Sequence, residues 1–181
     1  KNNIGFKRNY LVKNASYKYL AMLDDDDIYF PSYIKTSIDM IKNEKVNLVG
    51  SPEMLFVYPK LNYQFSAIKC PAKRQIHEAT MVFTKKYFNS MPGFMSSSKG
   101  EGCKMVDYND KNVAITNISD IMICVCHQNN TLSKERFIEN KININIKNME
   151  QLKILKDILK DEENLNPNEE DFVWIDSDDD S

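Results

Sequence analysis

Four consecutive aspartates at residues 24–27 follow an apolar run over residues 19–23. Adjacent like charges repel one another, so the folded chain must surround them with solvent, a cation or basic side chains. Asp24 and Asp26 are two residues apart, and in an extended segment such side chains point the same way. Mg²⁺ and Mn²⁺ prefer carboxylate oxygens and are commonly shared with substrate phosphates. The run therefore predicts a divalent-metal site, with a solvated acidic turn before a helix as the alternative.

The elements around this run are predicted from its flanking patterns. The apolar segment over residues 17–23 is short and bounded by polar residues, which indicates a buried strand. A helix is predicted over residues 9–15 before it, and Pro31 is a natural first-turn residue of the helix after it. In that second helix an apolar stripe is expected to face the core, with the members Tyr33, Ile34, Ile38 and Ile41.

The rest of the first 130 residues predicts an α/β layered domain. Further strands are predicted over residues 46–49, 54–58, 79–83, 113–115 and 121–126, with a short helix or turn over 85–89. The later strands follow one another with fewer helices, so the sheet is expected to be mixed. Residues 60–74 are expected to form a loop or an irregular hairpin. Residues 93–102 are rich in Gly, Ser and Lys, which indicates a flexible loop.

Composition excludes several classes of protein. The 181 residues with 42% hydrophobic content suit one domain of ordinary size. A net charge of −2 argues against a generally basic nucleic-acid binder. Because no apolar run approaches the roughly 20 residues of a membrane span and no signal peptide is recognised, we expect no transmembrane segment and a cytoplasmic location. Cys124 and Cys126 are expected to be buried thiols on one face of a strand, since the chain has no Cys-x-x-Cys pair.

Three regions are predicted along the chain. Residues 1–140 would form the layered domain. Residues 141–165 contain an amphipathic helix over 147–164, whose apolar face comprises Met149, Leu152, Leu155, Ile158 and Leu159. Residues 166–181 form an acidic tail that is expected to be disordered or to act as a short docking peptide.

A set of motifs in the first 31 residues resembles the middle of a family 2 glycosyltransferase with the GT-A fold. The motifs are Gly5-Phe6-Lys7-Arg8-Asn9, then Ala15, then the segment over residues 19–27, then Pro31. Members of that family typically show an Arg-Asn pair, a helix, an apolar strand ending in Asp-x-Asp with a further Asp, and a helix opened by Pro. The resemblance covers about residues 1–135. It implies a layered domain of Rossmann type whose first βα unit would precede Lys1.

The resemblance implies a nucleotide-sugar donor, such as a UDP-sugar, and a Mn²⁺ or Mg²⁺ ion. Arg8 would approach the nucleotide or diphosphate, and Asp24, Asp25 and Asp26 would lie at the donor. Asp24 and Asp26 would hold the metal, with Asp26 the firmer ligand. His127 follows a predicted strand, and some members of this fold place a late histidine on the metal or near the diphosphate.

The resemblance also implies a catalytic base near residue 101. The family carries an acidic pair at this place, of which only Glu101 is present because the second position is Gly102. Glu101 is the candidate base of an inverting transfer to an acceptor hydroxyl, and Asp107 is the fallback. Residues 78–83 resemble the strand of the acceptor half, and Asn130 and Thr131 could contact donor or acceptor. The acceptor would be a glycan, a protein or a lipid-linked molecule.

The acidic run leaves two other functions to consider, of which the second is disfavoured. The chain could be a non-catalytic remnant or interaction module of the same fold. A phosphoryl-transfer enzyme of the haloacid-dehalogenase type is disfavoured, because its Asp-x-Asp-x-Thr motif would require threonine where this chain has Ile28.

Overall fold

The computed structural model describes residues 2–61, 63–70, 76–106, 110–128, 130 and 133–140. Within these ranges lie three α-helices, α1 (Ile4–Asn14), α2 (Ser32–Asn43) and α3 (Lys85–Ser90). The strands of the same ranges are β1 (Tyr19–Ala21), β2 (Ile28–Tyr29), β3 (Leu48–Gly50), β4 (Glu53–Tyr58), β5 (Gln64–Lys69), β6 (Val82–Thr84), β7 (Val113–Ile115) and β8 (Met122–Val125). The predicted helix over 147–164, the acidic tail, Asp107 and Thr131 lie outside the described residues.

The strands form two four-stranded sheets, in the orders β1-β6-β3-β7 and β2-β8-β4-β5. The pairs β3–β7 and β4–β8 are parallel, and the other neighbours are antiparallel. The prediction of an α/β chain with mixed strand directions is therefore confirmed, but there are two sheets where one was expected. The chain leaves the first sheet directly after β3, at Ser51 and Pro52, because proline cannot donate a ladder hydrogen bond.

The first sheet is buried on both faces. Leu48 of β3 and Phe83 of β6 belong to one buried cluster, which α1 and α3 complete. Their neighbours Val49 and Val82 belong to a second cluster, which α2 and the second sheet complete. Successive side chains of a strand point to opposite faces, so these two strands supply both cores.

Helix α1 begins at Ile4, five residues before its predicted start, and Asn3 caps it by accepting a hydrogen bond from the Phe6 N–H at 2.9 Å. Its buried face consists of Gly5, Arg8 and Val12. That face follows helical spacing but holds a glycine and an arginine, so hydrophobic periodicity did not indicate it. Lys7 and Arg8, which precede the predicted helix, therefore lie inside α1.

Helix α2 follows its predicted stripe in part. Tyr33 and Ile41 are buried and Ile38 is partly buried, but Ile34 is 39% exposed. The prediction for Ile34 is wrong because the buried face continues through Ser37, at the four-residue spacing of Tyr33, Ser37 and Ile41.

The predicted strands keep their order, with three changes. Ile28–Tyr29 forms a short strand, β2, that was not predicted. Residues 60–74 contain a strand, β5, which pairs with β4 over six residues as a hairpin. The predicted strand over 79–83 shifts to Val82–Thr84, because Glu78–Thr80 forms a 3₁₀ turn. The Thr80 hydroxyl holds that turn by donating to the His77 carbonyl at 2.7 Å and accepting from the Ser51 N–H at 2.9 Å. In the described part of the chain, no helix has the length and apolar content of a membrane span.

Candidate active site

The predicted donor-side residues and the candidate base line one cavity of about 860 Å³. They are Arg8, Asp24, Asp25, Asp26 and Glu101. Helix α1 contributes Arg8, the turn between β1 and β2 contributes the aspartates, and the loop after α3 contributes Glu101. Three segments that are distant in sequence therefore form one site.

The acidic run is a turn and not an extended segment, with Asp25 and Asp26 at its centre. The two-residue alternation predicted for Asp24 and Asp26 therefore does not apply. Three of the four aspartates contact a neighbouring element: Asp24 contacts Arg8, Asp26 contacts His127, and Asp27 accepts a hydrogen bond from the Val125 N–H at 3.1 Å. The fold thus disperses the repulsion of the run over three neighbouring elements.

Arg8 joins two of the predicted carboxylates. Its Nη2 donates to Asp24 Oδ1 at 2.8 Å, and its Nε donates to Glu101 Oε1 at 3.1 Å. The side chains of Arg8 and Glu101 are only 9% and 6% exposed, and that of Asp24 is 36% exposed. Burial raises the pKa of both Asp24 and Glu101, and the guanidinium acts in the opposite direction on each.

The loop predicted to be flexible is anchored on α1. Asn9 Nδ2 donates to the Phe94 carbonyl at 2.7 Å, and Asn9 Oδ1 accepts from the Phe94 N–H at 2.9 Å. The Gly5 N–H donates to the Ser97 carbonyl at 2.9 Å. A Cβ at Gly5 would lie 1.7 Å from the carbonyl oxygen of Met95, so only glycine permits this approach. The Arg8-Asn9 pair therefore holds the segment that carries Glu101 against α1.

Glu78 adds a second carboxylate beside Glu101. It lines the same cavity, and its Oε1 accepts a hydrogen bond from the Gly102 N–H at 3.0 Å. Burial is the main cause of the raised pKa of Glu101, and the charge of Glu78 raises that pKa further, whereas the backbone hydrogen bond of Glu101 lowers it. From the sequence, Glu78 was predicted only as the first residue of the acceptor-half strand over residues 78–83, and it was not assigned to the site. In the sequence, the role of Glu78 was indicated only indirectly, by Gly102 at the position where a second acidic residue was expected.

Asp26, His127 and Asn130 form a polar cluster at the edge of the cavity. His127 Nε2 lies 3.2 Å from Asp26 Oδ2, and Asn130 Nδ2 donates to the same oxygen at 3.3 Å. The Asn130 side-chain oxygen accepts from the His127 N–H at 2.8 Å. Asn130 therefore holds both His127 and Asp26. Asn130 and Asp26 line the cavity, whereas His127 is connected to the cavity only through its contact with Asp26.

The fit of a divalent ion depends on this cluster. Across the described residues, no group of three His, Cys, Asp or Glu side chains is arranged to hold a metal ion. Asp26 and His127 can supply two ligands of a kind that suits manganese, and the remainder would have to come from substrate phosphates and water. Asp24 Oδ1 is already bonded to Arg8. The two-ligand arrangement fits an ion shared with a phosphorylated substrate, and the metal roles of Asp24, Asp26 and His127 remain predictions.

Four basic side chains besides Arg8 also line the cavity, and the sequence motifs include only Lys7 of these four. They are Lys7, Lys99, Lys134 and Arg136. Lys134 Nζ lies 5.7 Å from the centre of the Phe56 ring, and Arg136 stacks over Phe137 at 4.5 Å. These basic side chains and the acidic turn line the same cavity, so the cavity has cationic groups of the kind that bind the oxygens of a diphosphate. Both residues belong to the segment after the last strand, where no local motif marks them.

Cys124 and Cys126 are buried as predicted. Cys124 lines the cavity next to Asp27, and burial raises the pKa of Asp27 to about 6. Among the described residues these thiols therefore act as core side chains behind the acidic turn.

No protein-family model matches the chain, and no curated protein matches it either.

Proposed function

We propose that this chain carries a site for metal-dependent transfer of a sugar from a nucleotide-sugar donor to an acceptor hydroxyl, with inversion at the anomeric carbon. One observation supports the proposal most directly. A single cavity is lined by an acidic turn, by basic side chains and by two further carboxylates, and Asp26 of the turn contacts His127 behind the lining. These groups match the needs of a charged diphosphate leaving group and a hydroxyl nucleophile. A GT-A-like arrangement of the two mixed sheets belongs to the same proposal.

The donor diphosphate would lie between the acidic turn and the basic side chains. Lys134 and Arg136 would bind the phosphate oxygens, and Asp25 would contact the sugar or nucleotide from its exposed position in the turn. A divalent ion on Asp26 and His127 would neutralise charge that develops on the departing nucleoside diphosphate. Asn130 would keep Asp26 and His127 in place through its hydrogen bonds.

We assign to Arg8 a positioning role in addition to its predicted approach to the diphosphate. Since its guanidinium is buried and bonded to Asp24 and Glu101, we assign it to holding the turn and the loop at a constant separation. Its positive charge still lies near the cavity and would stabilise a diphosphate from behind the acidic turn. Two carboxylates, Glu78 and the predicted base Glu101, line the cavity where an acceptor hydroxyl would deliver its proton.

A donor screen tests the proposal. The full chain would be incubated with UDP-glucose, UDP-galactose and UDP-N-acetylglucosamine in the presence of Mn²⁺, and release of UDP would be followed with and without EDTA. We expect UDP release from one donor that EDTA abolishes and Mn²⁺ restores. Absence of release from all donors, together with absence of Mn²⁺-dependent UDP binding in calorimetry, would contradict the proposal.

The alternative is a non-catalytic module of the same fold. It is favoured by Gly102 in place of a second acidic residue and by three exposed apolar side chains on α1, Phe6, Tyr10 and Leu11, which could contact a partner protein. Mn²⁺-dependent nucleotide binding without any turnover would favour this module over the enzyme. A glycan, protein or lipid-linked acceptor and a cytoplasmic location belong to the enzyme proposal and are tested only after a donor is found.

A further inference from the structure

The Glu78 side chain occupies the space that a side chain at position 102 would need. A Cβ atom on Gly102 would lie 2.4 Å from Glu78 Cγ and 3.2 Å from Glu78 Cδ. The third close atom is Met81 Cε at 3.1 Å, which is the end of a flexible side chain. The glycine therefore admits a carboxylate from another segment of the chain into the place next to Glu101.

The Glu78 carboxylate is held in that place. The Gly102 N–H donates to its Oε1 at 3.0 Å, so the residue that makes room also orients the group. Glu78 begins the 3₁₀ turn Glu78–Thr80, and the Thr80 hydroxyl ties this turn to His77 and Ser51. The Glu78 carboxylate therefore belongs to a turn that hydrogen bonds hold in place. It is half-buried and lines the cavity.

Glu101 is placed differently. Its side chain is 6% exposed, and its Oε1 accepts from the buried Arg8. An ion-paired, buried carboxylate has little surface with which to contact an incoming hydroxyl. Glu101 is therefore better suited to hold Arg8 than to accept a proton from a substrate.

We propose that Glu78 is the catalytic base of this site and that Glu101 is a positioning residue, so that the acidic pair is built from two separate segments of the chain. This inference rests on the proposed sugar transfer. In the step, the acceptor O–H proton passes to the Glu78 carboxylate while the acceptor oxygen forms a bond to the anomeric carbon of the donor. The bond from that carbon to the diphosphate oxygen breaks, and its electron pair leaves with the nucleoside diphosphate.

Glu78→Gln tests the assignment, because the amide keeps an oxygen that can accept the Gly102 N–H. With the responsive UDP-sugar and Mn²⁺, we expect kcat to fall by about 10²–10⁴-fold, the range typical of general-base catalysis. The donor KM, Mn²⁺-dependent UDP binding and the thermal midpoint should stay close to those of the wild type. Glu44→Gln, an exposed change outside the cavity, is the matched control and should leave kcat unchanged.

Glu101→Gln is the comparator. We expect a smaller loss of kcat than in Glu78→Gln, together with a lower thermal midpoint, because the change removes the charge that faces Arg8. A kcat of Glu78→Gln within twofold of the wild type would overturn the assignment. A larger kcat loss in Glu101→Gln than in Glu78→Gln would also overturn it and return the role to Glu101.

A relocated carboxylate provides the sharpest test. Gly102→Asp alone should destabilise the chain, because its Cβ would collide with Glu78. The double variant Glu78→Ala/Gly102→Asp lacks the Glu78 Cγ and Cδ atoms that would collide with the new side chain, and it places a carboxylate at position 102 instead. We expect its kcat to exceed that of Glu78→Ala by at least about tenfold, part of the general-base contribution. A double variant that folds with the wild-type thermal midpoint but gains nothing would count against Glu78.

The two proposals fail in different ways. A wild-type protein with neither UDP release nor Mn²⁺-dependent UDP binding would overturn both of them. Wild-type turnover that Glu78→Gln leaves unchanged would overturn the Glu78 assignment alone and leave the sugar-transfer proposal standing.

Discussion

Arg8 Nε donates a hydrogen bond to Glu101 Oε1 at 3.1 Å, across 93 residues of chain and inside the protein. The same guanidinium holds Asp24 through Nη2. A buried charge without its partner is strongly destabilising, so this one side chain maintains both the acidic turn and the Glu101 loop in their places. The geometry of the site therefore depends on Arg8, a residue of helix α1.

Arg8→Met should destabilise the fold. It leaves Glu101 buried without its cation, and the loss of one partner of a buried pair typically costs about 3–5 kcal/mol. Urea unfolding followed by circular dichroism measures the change. Lys7→Met, an exposed change at the neighbouring position, is the control and should cost about 0.5 kcal/mol or less. Equal effects in the two variants would contradict the bridging role of Arg8.

Gly5→Ala should loosen the loop that carries Glu101. Its Cβ would lie 1.7 Å from the Met95 carbonyl oxygen, and backbone atoms on both sides would have to move. We expect a loss of about 1–3 kcal/mol, as is usual for overpacking. Tyr10→Ala on the same helix, whose side chain is 61% exposed, is the control. An unfolding free energy of Gly5→Ala that matches the wild type would show that the loop does not rest on α1.

Asp26→Asn should weaken nucleotide binding that depends on Mn²⁺. The change removes a negative ligand next to His127, and we expect a loss of at least roughly 10–100-fold in Mn²⁺ affinity, the range seen when only a residue that supports a metal ligand is mutated. Calorimetric titration of UDP with and without Mn²⁺ measures it. Asp39→Asn on the surface of α2 serves as the control. Unchanged Mn²⁺-dependent binding in Asp26→Asn would remove Asp26 from the metal site.

His77 should make the protein less stable in mild acid. Burial lowers the pKa of His77, although the neighbouring Glu78 acts in the opposite direction. The unfolded chain therefore takes up a proton below about pH 6.5 while the folded chain does not. Stability is fully present above pH 6.5 and falls from there towards the folded pKa, by at most about 1.4 kcal/mol per pH unit.

His77→Gln supplies the measurement for that prediction. Urea unfolding of variant and wild type between pH 5 and 8 should differ by a constant amount above pH 7. The wild type should lose more stability than the variant as the pH falls below 6.5. Parallel curves over the whole range would show that His77 takes up its proton equally in the folded and unfolded chain.

The acidic turn illustrates how far local patterns reach. The apolar run, the aspartates and Pro31 predicted a strand, a turn and a helix. The structure has these three elements in that order, with the short strand β2, which was not predicted, between the turn and the helix. Asp26 and His127 were both assigned to the metal from sequence, and the structure places them 3.2 Å apart. Their binding of a metal stays a prediction. By contrast, the interpretation of Asp24 and Asp26 as parallel ligands of an extended segment did not hold, because Asp24 turns towards Arg8.

The sequence by itself determined the α/β class, the order of most strands and the acidic turn. Each of these depends on hydrophobic periodicity and turn residues within about ten neighbouring positions. Only the tertiary structure decided that the strands divide into two sheets, that Arg8 points inward to Glu101, and that Glu78 fills the space beside Gly102. These relationships join residues 24 to 93 positions apart, and packing against neighbouring elements decides them where no local propensity does.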